Sequence, residues 1–135
     1  MRDAVVVGSW LAALALFCVQ VAGGQGRPER DYQAAWCATR GQMEAVLPDK
    51  TRVDCLTDTH AIEFDFGRKW AEAIGQALHY ARMTGRTPGV VLIIERDEDW
   101  RYWTRMNQNI AAFGLGIETW AVGPSLLNEE GTHGP

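Results

Sequence analysis

Hydrophobic and polar positions follow two different periods between Thr51 and Met83. Over Thr51–Thr57, and again over His60–Phe66, they alternate, and both stretches are rich in β-branched and aromatic residues. This is the pattern of neighbouring strands. Only Asp58 and Thr59 separate them, which is short enough for a hairpin turn. With those two residues as the loop, Thr57 pairs with His60, Asp54 lies opposite Glu63, and Arg52 lies opposite Asp65. Successive side chains point to opposite faces. Arg52, Asp54, Glu63 and Asp65 therefore share one face, and Val53, Cys55, Ile62 and Phe64 share the other, which is apolar and belongs to a core. Beyond Phe66 the period lengthens. Trp70, Ala73, Ile74, Ala77 and Ala81 recur at helical spacing as a buried stripe, and Lys69, Glu72, Gln76 and Tyr80 fall on a neighbouring stripe.

The rest of the chain continues in the same manner. Asp31–Arg40 predicts a short helix with Tyr32, Ala35, Trp36 and Thr39 toward the core, ended by Gly41. Gln42–Leu47 predicts a strand, and Pro48-Asp49 a turn into the strand from Thr51. Gly85–Gly89 predicts a loop. Val90–Ile94 is an unbroken apolar run, as in a strand covered on both faces. Asp97–Phe113 predicts an amphipathic helix with Trp100, Trp103, Met106 or Asn107, and Ile110 buried, closed by Gly114. The acidic residues Glu95, Asp97, Glu98 and Asp99 then stand at that helix's N-terminus, where negative charge suits the dipole. Leu115–Val122 predicts a last strand. The order α-β-β-β-α-β-α-β implies an α/β fold, a mixed sheet flanked by helices. Trp36, Trp70, Trp100, Trp103 and Trp120 are assigned to the core, and His60 and His79 to the surface.

Composition changes this picture at two points. Residues 1–24 read as a signal peptide: Ala4–Ala22 is almost wholly apolar and is followed by small residues, as a signal-peptidase site requires. The run also approaches the length of a membrane anchor, but its small-residue ending and the polar stretch after it favour cleavage. Residues 25–30 then form a linker, 31–122 the folded domain and 123–135 a flexible tail. An exported chain, periplasmic or secreted, with no membrane span after signal removal, meets an oxidising environment. Cys18 leaves with the signal, and Cys37 and Cys55 are then expected to form a disulfide, which would stabilise the fold by about 3 kcal/mol. The alternative is two buried thiols. The formal net charge of −4 argues against a protein that coats nucleic acid unselectively.

The face shared by Asp54 and Glu63 carries the chemistry. Opposed carboxylates repel unless a cation lies between them. A divalent metal with oxygen ligands is one answer; Arg52 and Lys69 as counter-charges are the other. Depending on register, Glu44 sits beside or near Asp54, as a supporting residue or as a solvated one.

A carboxylate on one strand, Glu63-x-x on the next and a helix carrying Lys69 and Gln76 together resemble the PD-(D/E)XK, restriction-endonuclease-like nuclease superfamily. The resemblance runs roughly from Glu44 to Val122. It implies Mg²⁺- or Mn²⁺-dependent phosphodiester hydrolysis, with nucleic acid as partner. Asp54 and Glu63, with a backbone carbonyl near Phe64, would hold the metal, which would polarise the phosphate and lower the pKa of the attacking water. Gln76 would orient that water. The family's lysine two residues after the Glu is here Asp65. Lys69 can replace it from the helix, Arg52 can neutralise Asp65, or Asp65 can itself be a third ligand. A nuclease-fold domain without catalysis, serving as a binding or structural module, is the second reading, and an unrelated exported α/β adaptor the third. Oligomeric state is not legible in the sequence.

Overall fold

The computed structural model describes residues 26–128. The signal-peptide expectation for residues 1–24 lies outside them. Helix α1 is Glu29–Cys37, strands β1, β2 and β3 are Gly41–Val46, Arg52–Thr57 and His60–Phe66, and helix α2 is Trp70–Thr84. Strand β4 is Thr87–Ile93, helix α3 is Trp100–Ala112 and strand β5 is Glu118–Val122. The five strands lie in chain order in one sheet; β1 to β3 run antiparallel, and β3 to β5 parallel. The fold is therefore α/β, a mixed sheet flanked by helices.

Each face of the sheet has its own core. On one face Tyr32, Trp36 and Cys37 of α1 pack on Cys55, Ile62, Phe64, Val91 and Ile93. On the other, Ala73 and Ala77 of α2 and Met106 of α3 pack on Val90, Leu92 and Ile94. The apolar run Val90–Ile94 is buried throughout because β4 has helices on both sides. A disulfide joins Cys37 to Cys55, with Cα atoms 5.9 Å apart, and ties α1 to β2. Among the described residues no helix is long and apolar enough to cross a membrane.

Several boundaries differ from the sequence pattern, each for a local reason. Helix α1 starts at Glu29, inside the stretch read as linker, directly after Pro28. Strand β4 starts at Thr87 rather than after Gly89, because parallel pairing reaches back to His60↔Thr87. Pro88 is tolerated there because β5 begins to pair only at Gly89↔Glu118, leaving the strand one open side at Pro88. Strand β5 is shorter than Leu115–Val122, since Gly114 and Gly116 both take positive φ and make a loop first. The stretch from residue 123, read as a tail, opens with a 3-10 turn, Pro124–Leu127, whose leucines pack against the α1-side core.

Two side-chain assignments are corrected. Trp100 is 48% exposed, not core. It is the first residue of α3, and Trp103, Met106 and Ile110 further along supply that helix's contacts with the core. Val53 does not pack with Cys55, Ile62 and Phe64; it packs with Ala45, Leu47, Ala61 and Tyr80. Strict alternation breaks between Val53 and Cys55, at Asp54.

Gly89 is required by close packing. A Cβ there would meet the Trp120 ring at 2.9 Å and Ile62 Cγ1 at 3.0 Å. Gly89→Ala is expected to destabilise the fold by about 1–3 kcal/mol through overpacking, measured by urea unfolding; an unchanged midpoint would contradict the assigned contact.

Candidate functional site

The sheet opens where its carboxylates meet. Strands β1 and β2 pair at Met43↔Cys55 and again at Ala45↔Val53, skipping Glu44 and Asp54 between them. Glu44 has φ 52°, the left-handed region that a non-glycine residue adopts only at a cost. Strands β2 and β3 pair at Leu56↔Ala61 and Cys55↔Ile62 and no further. Continuing that register sets Asp54 opposite Glu63, as the hairpin reading requires. There the Phe64 N–H donates to Asp54 Oδ2 at 2.8 Å, so a side chain takes the place of a ladder bond. This replaced pairing accounts for the break in alternation and sets Asp54 over the carboxylates of β3.

A concavity of about 400 Å³ collects the candidate residues. Asp54, Glu63 and Asp65 form its floor; Glu44 and Arg52 line the β1–β2 side; Lys69, Gln76 and Tyr80 line the α2 side. The structure thus brings together every candidate site residue read from the sequence except the disulfide pair, which lies in the α1-side core. Two further acids stand at its rim, Glu29 at the start of α1 and Glu72 in the first turn of α2. Glu29 had been assigned to the linker. Pro28 followed by two acids within three residues is a helix-start signal that marks it.

Glu63 and Asp65 are buried, at 5% and 2% exposure. The Asp54 and Glu63 carboxyl groups share the floor of the concavity, each the other's acidic neighbour. Burial raises the pKa of both, and the neighbouring charge of Asp54 raises Glu63 further, so the pair retains a proton to higher pH than free carboxylates do. Asp65 is pushed up to about 6 by burial, against the pull of Lys69, whose Nζ lies 3.8 Å from Asp65 Oδ1. The Phe66 N–H also donates to Asp65 Oδ1, at 2.9 Å. Glu29 is pushed up to about 7, chiefly by burial and then by Asp54 and Asp65; the Gln33 amide donates to it at 3.1 Å. Arg52 faces Glu44 at 3.5 Å rather than Asp65. The counter-charges are thus Arg52 for Glu44 and Lys69 for Asp65, and neither is matched to the Asp54–Glu63 pair.

One acceptor in the site has nothing to accept from. Glu63 Oε2 is buried with no hydrogen-bond partner, one of two such side-chain atoms among the described residues. A buried carboxylate oxygen left so costs free energy.

Comparison with known protein families, with curated proteins and with solved structures found no match.

The donor set fits a hard divalent ion of the Mg²⁺ kind, which takes one or two carboxylates and completes its shell with water and substrate phosphate. Among the described residues no three His, Cys, Asp or Glu side chains form a ready cage. The histidines lie elsewhere: His60 pairs with Glu118 at 2.6 Å, and His79 with Asp49 at 2.7 Å.

Proposed function

We propose that this domain is a metal-dependent phosphodiesterase of the PD-(D/E)XK kind, acting on nucleic acid outside the cytoplasm. The observation that carries the reading is the Asp54–Glu63 pair, opposed in one concavity with Glu63 Oε2 buried and unpartnered. The element order and the mixed sheet accord with it. The Cys37–Cys55 disulfide accords with an oxidising compartment.

Asp54 and Glu63 would hold Mg²⁺ or Mn²⁺. When bound, that ion would polarise a phosphoryl oxygen and lower the pKa of the attacking water. The chain's own residues supply the rest. The Phe64 N–H fixes the Asp54 carboxylate in place. The Lys69 ammonium lies on the wall of the concavity and steadies charge developing on the phosphate. Gln76 lines the α2 wall beside the buried Tyr80, where its amide would orient water. Asp65 keeps Lys69 near, taking the place of the sequence-adjacent lysine of the resemblance.

The test is a calorimetric titration with Mn²⁺, paired with degradation of labelled DNA and RNA in Mn²⁺ and in EDTA. Saturable heat and cation-dependent cleavage are expected. Heat without cleavage would favour the second reading, a binding module on this fold. One observation favours that reading: Lys69 is engaged by Asp65 and so is not free to serve the phosphate alone. Absence of heat would remove the cation site.

A further inference from the structure

Two more concavities adjoin at the carboxyl ends of β3, β4 and β5, where ligands of open α/β sheets gather. The smaller, about 330 Å³, includes Arg68, Arg96 and Tyr102; the larger, about 580 Å³, includes Arg96 and Trp100. Glu95 and Arg96 line both. The protein carries a net negative charge, yet of its 13 Lys and Arg residues two, Arg68 and Arg96, line these concavities and two more, Arg101 and Arg105, flank Tyr102 on the wall of the smaller one. The Arg101 and Arg105 guanidinium groups lie 4.7 and 6.0 Å from the Tyr102 ring centre, and Arg101 also donates to Tyr102 Oη at 2.9 Å. Among the described residues, Arg68, Arg101 and Arg105 have no carboxylate within ion-pair distance; only Arg96 does, with Asp99 at 3.3 Å.

The surface is ordered rather than merely charged. Tyr102 packs so closely on Gly67 that a Cβ there would meet its ring at 3.0 Å. Glu95, the acid between the concavities, accepts the Tyr32 hydroxyl at 3.1 Å. Asp99 lines the arginine side, where it is paired with Arg96 at 3.3 Å, and Asp97 lines only the Trp100 side, so the cations left to phosphates are Arg68, Arg101 and Arg105. Trp100 stands half exposed, its ring edge-on to Trp103 at 6.2 Å. The arginine side therefore suits phosphates and the Trp100 side suits an uncharged planar group. A flat aromatic ring beside a cationic track is the arrangement that takes unpaired bases, since stacking needs a base face that a duplex hides.

We propose that these adjoining concavities bind single-stranded nucleic acid, with Trp100 stacking a base and Arg68, Arg101 and Arg105 contacting phosphates. The proposal rests on the hydrolytic reading in one respect: the track leads to the acidic concavity. The 3-10 turn Gly67–Lys69 sends Arg68 to one side and Lys69 to the other. A strand held by Arg68 passes over that turn to Asp54 and Glu63.

The test measures anisotropy of a short fluorescein-labelled oligothymidylate with the folded domain in EDTA, where cleavage and cation binding play no part. Saturable, salt-sensitive binding is expected, weaker for a duplex of equal length. Trp100→Ala, an exposed change, is expected to weaken binding about tenfold. Arg68→Ala and Arg105→Ala should each weaken it and lower the salt slope by about 0.7. Arg82→Ala, in the last turn of α2, and Arg86→Ala, just after it, should leave it unchanged. Absence of binding overturns the proposal, and so does binding indifferent to Trp100→Ala, which would mark a general polyanion patch. Either failure, with the Mn²⁺ titration intact, leaves the hydrolytic site standing; loss of the titration with oligonucleotide binding intact would do the reverse.

Discussion

Asp54→Asn is expected to abolish cation-dependent cleavage, by about a thousand-fold or more, while leaving the fold intact. The size follows from the several kcal/mol that a metal supplies by charge stabilisation. The choice of Asn follows from the site. Asp54 Oδ2 accepts the Phe64 N–H in place of a strand-ladder bond. Asp54→Ala would leave that partly buried donor without a partner, at a cost of about 1–3 kcal/mol, and would confuse lost chemistry with lost structure. The Asn carbonyl keeps the acceptor and removes the charge. Binding of Mn²⁺ should fall with the activity, read by titration, while circular dichroism and the urea midpoint stay near wild type. Retained cleavage in a folded Asp54→Asn protein would end the proposal that this carboxylate holds a catalytic ion.

Lys69→Ala gives a different result if the roles are as assigned. Its ammonium lies 3.8 Å from Asp65 and is about half exposed, so cation binding should persist while turnover falls. That separation distinguishes a group acting on the phosphate from one that merely balances Asp65.

The pairing of Asp54 with Glu63 was legible because a two-residue loop leaves little choice of register, and a strand's period of two then fixes which carboxylates meet. The stripe of Lys69, Gln76 and Tyr80 was legible because helical spacing is equally rigid. What lay beyond the pattern has one kind of cause. The break of alternation at Val53 accompanies the positive φ of Glu44 and a side chain acting as ladder acceptor, and no periodicity encodes either. Trp100 sits at core spacing but opens its helix and is half exposed, which periodicity alone does not encode. Glu29 was hidden by treating a polar opening as linker, although Pro28 and the acids after it signal a helix start. Local rules thus placed the floor of the site and its α2 wall, and missed only Glu29, which the separate helix α1 supplies.

Thermal stability in EDTA is expected to fall as pH rises from 5 to 8, and Glu63→Gln is expected to remove much of that fall. The sign follows from proton linkage. Unfolded carboxyl groups titrate near pH 4. In the folded chain, burial raises Glu63 and Asp54, raises Asp65 to about 6 and Glu29 to about 7. Between the unfolded and folded values the folded chain binds more protons, so stability is fullest below about pH 4 and declines as pH rises through the folded values. Asp65 and Asp54 contribute to the decline up to about pH 6, Glu29 up to about 7, and Glu63 beyond that. Glu29 is only half-buried, so its share is discounted for solvent screening. The total is on the order of 3 kcal/mol, or roughly 10 °C or more in Tm for a domain of this size. Glu63→Gln replaces a buried acid with a neutral group of equal size and should stabilise the protein at pH 8 by about 2 kcal/mol. Millimolar Mn²⁺ at pH 8 should raise the Tm of the wild type by mass action and leave Glu63→Gln unmoved. A residue whose replacement strengthens the fold while removing cation binding is one kept for function at a cost in stability. A flat or rising Tm between pH 5 and 8, or a Glu63→Gln protein less stable than wild type at pH 8, would show that the pair is satisfied within the fold and has no need of a cation.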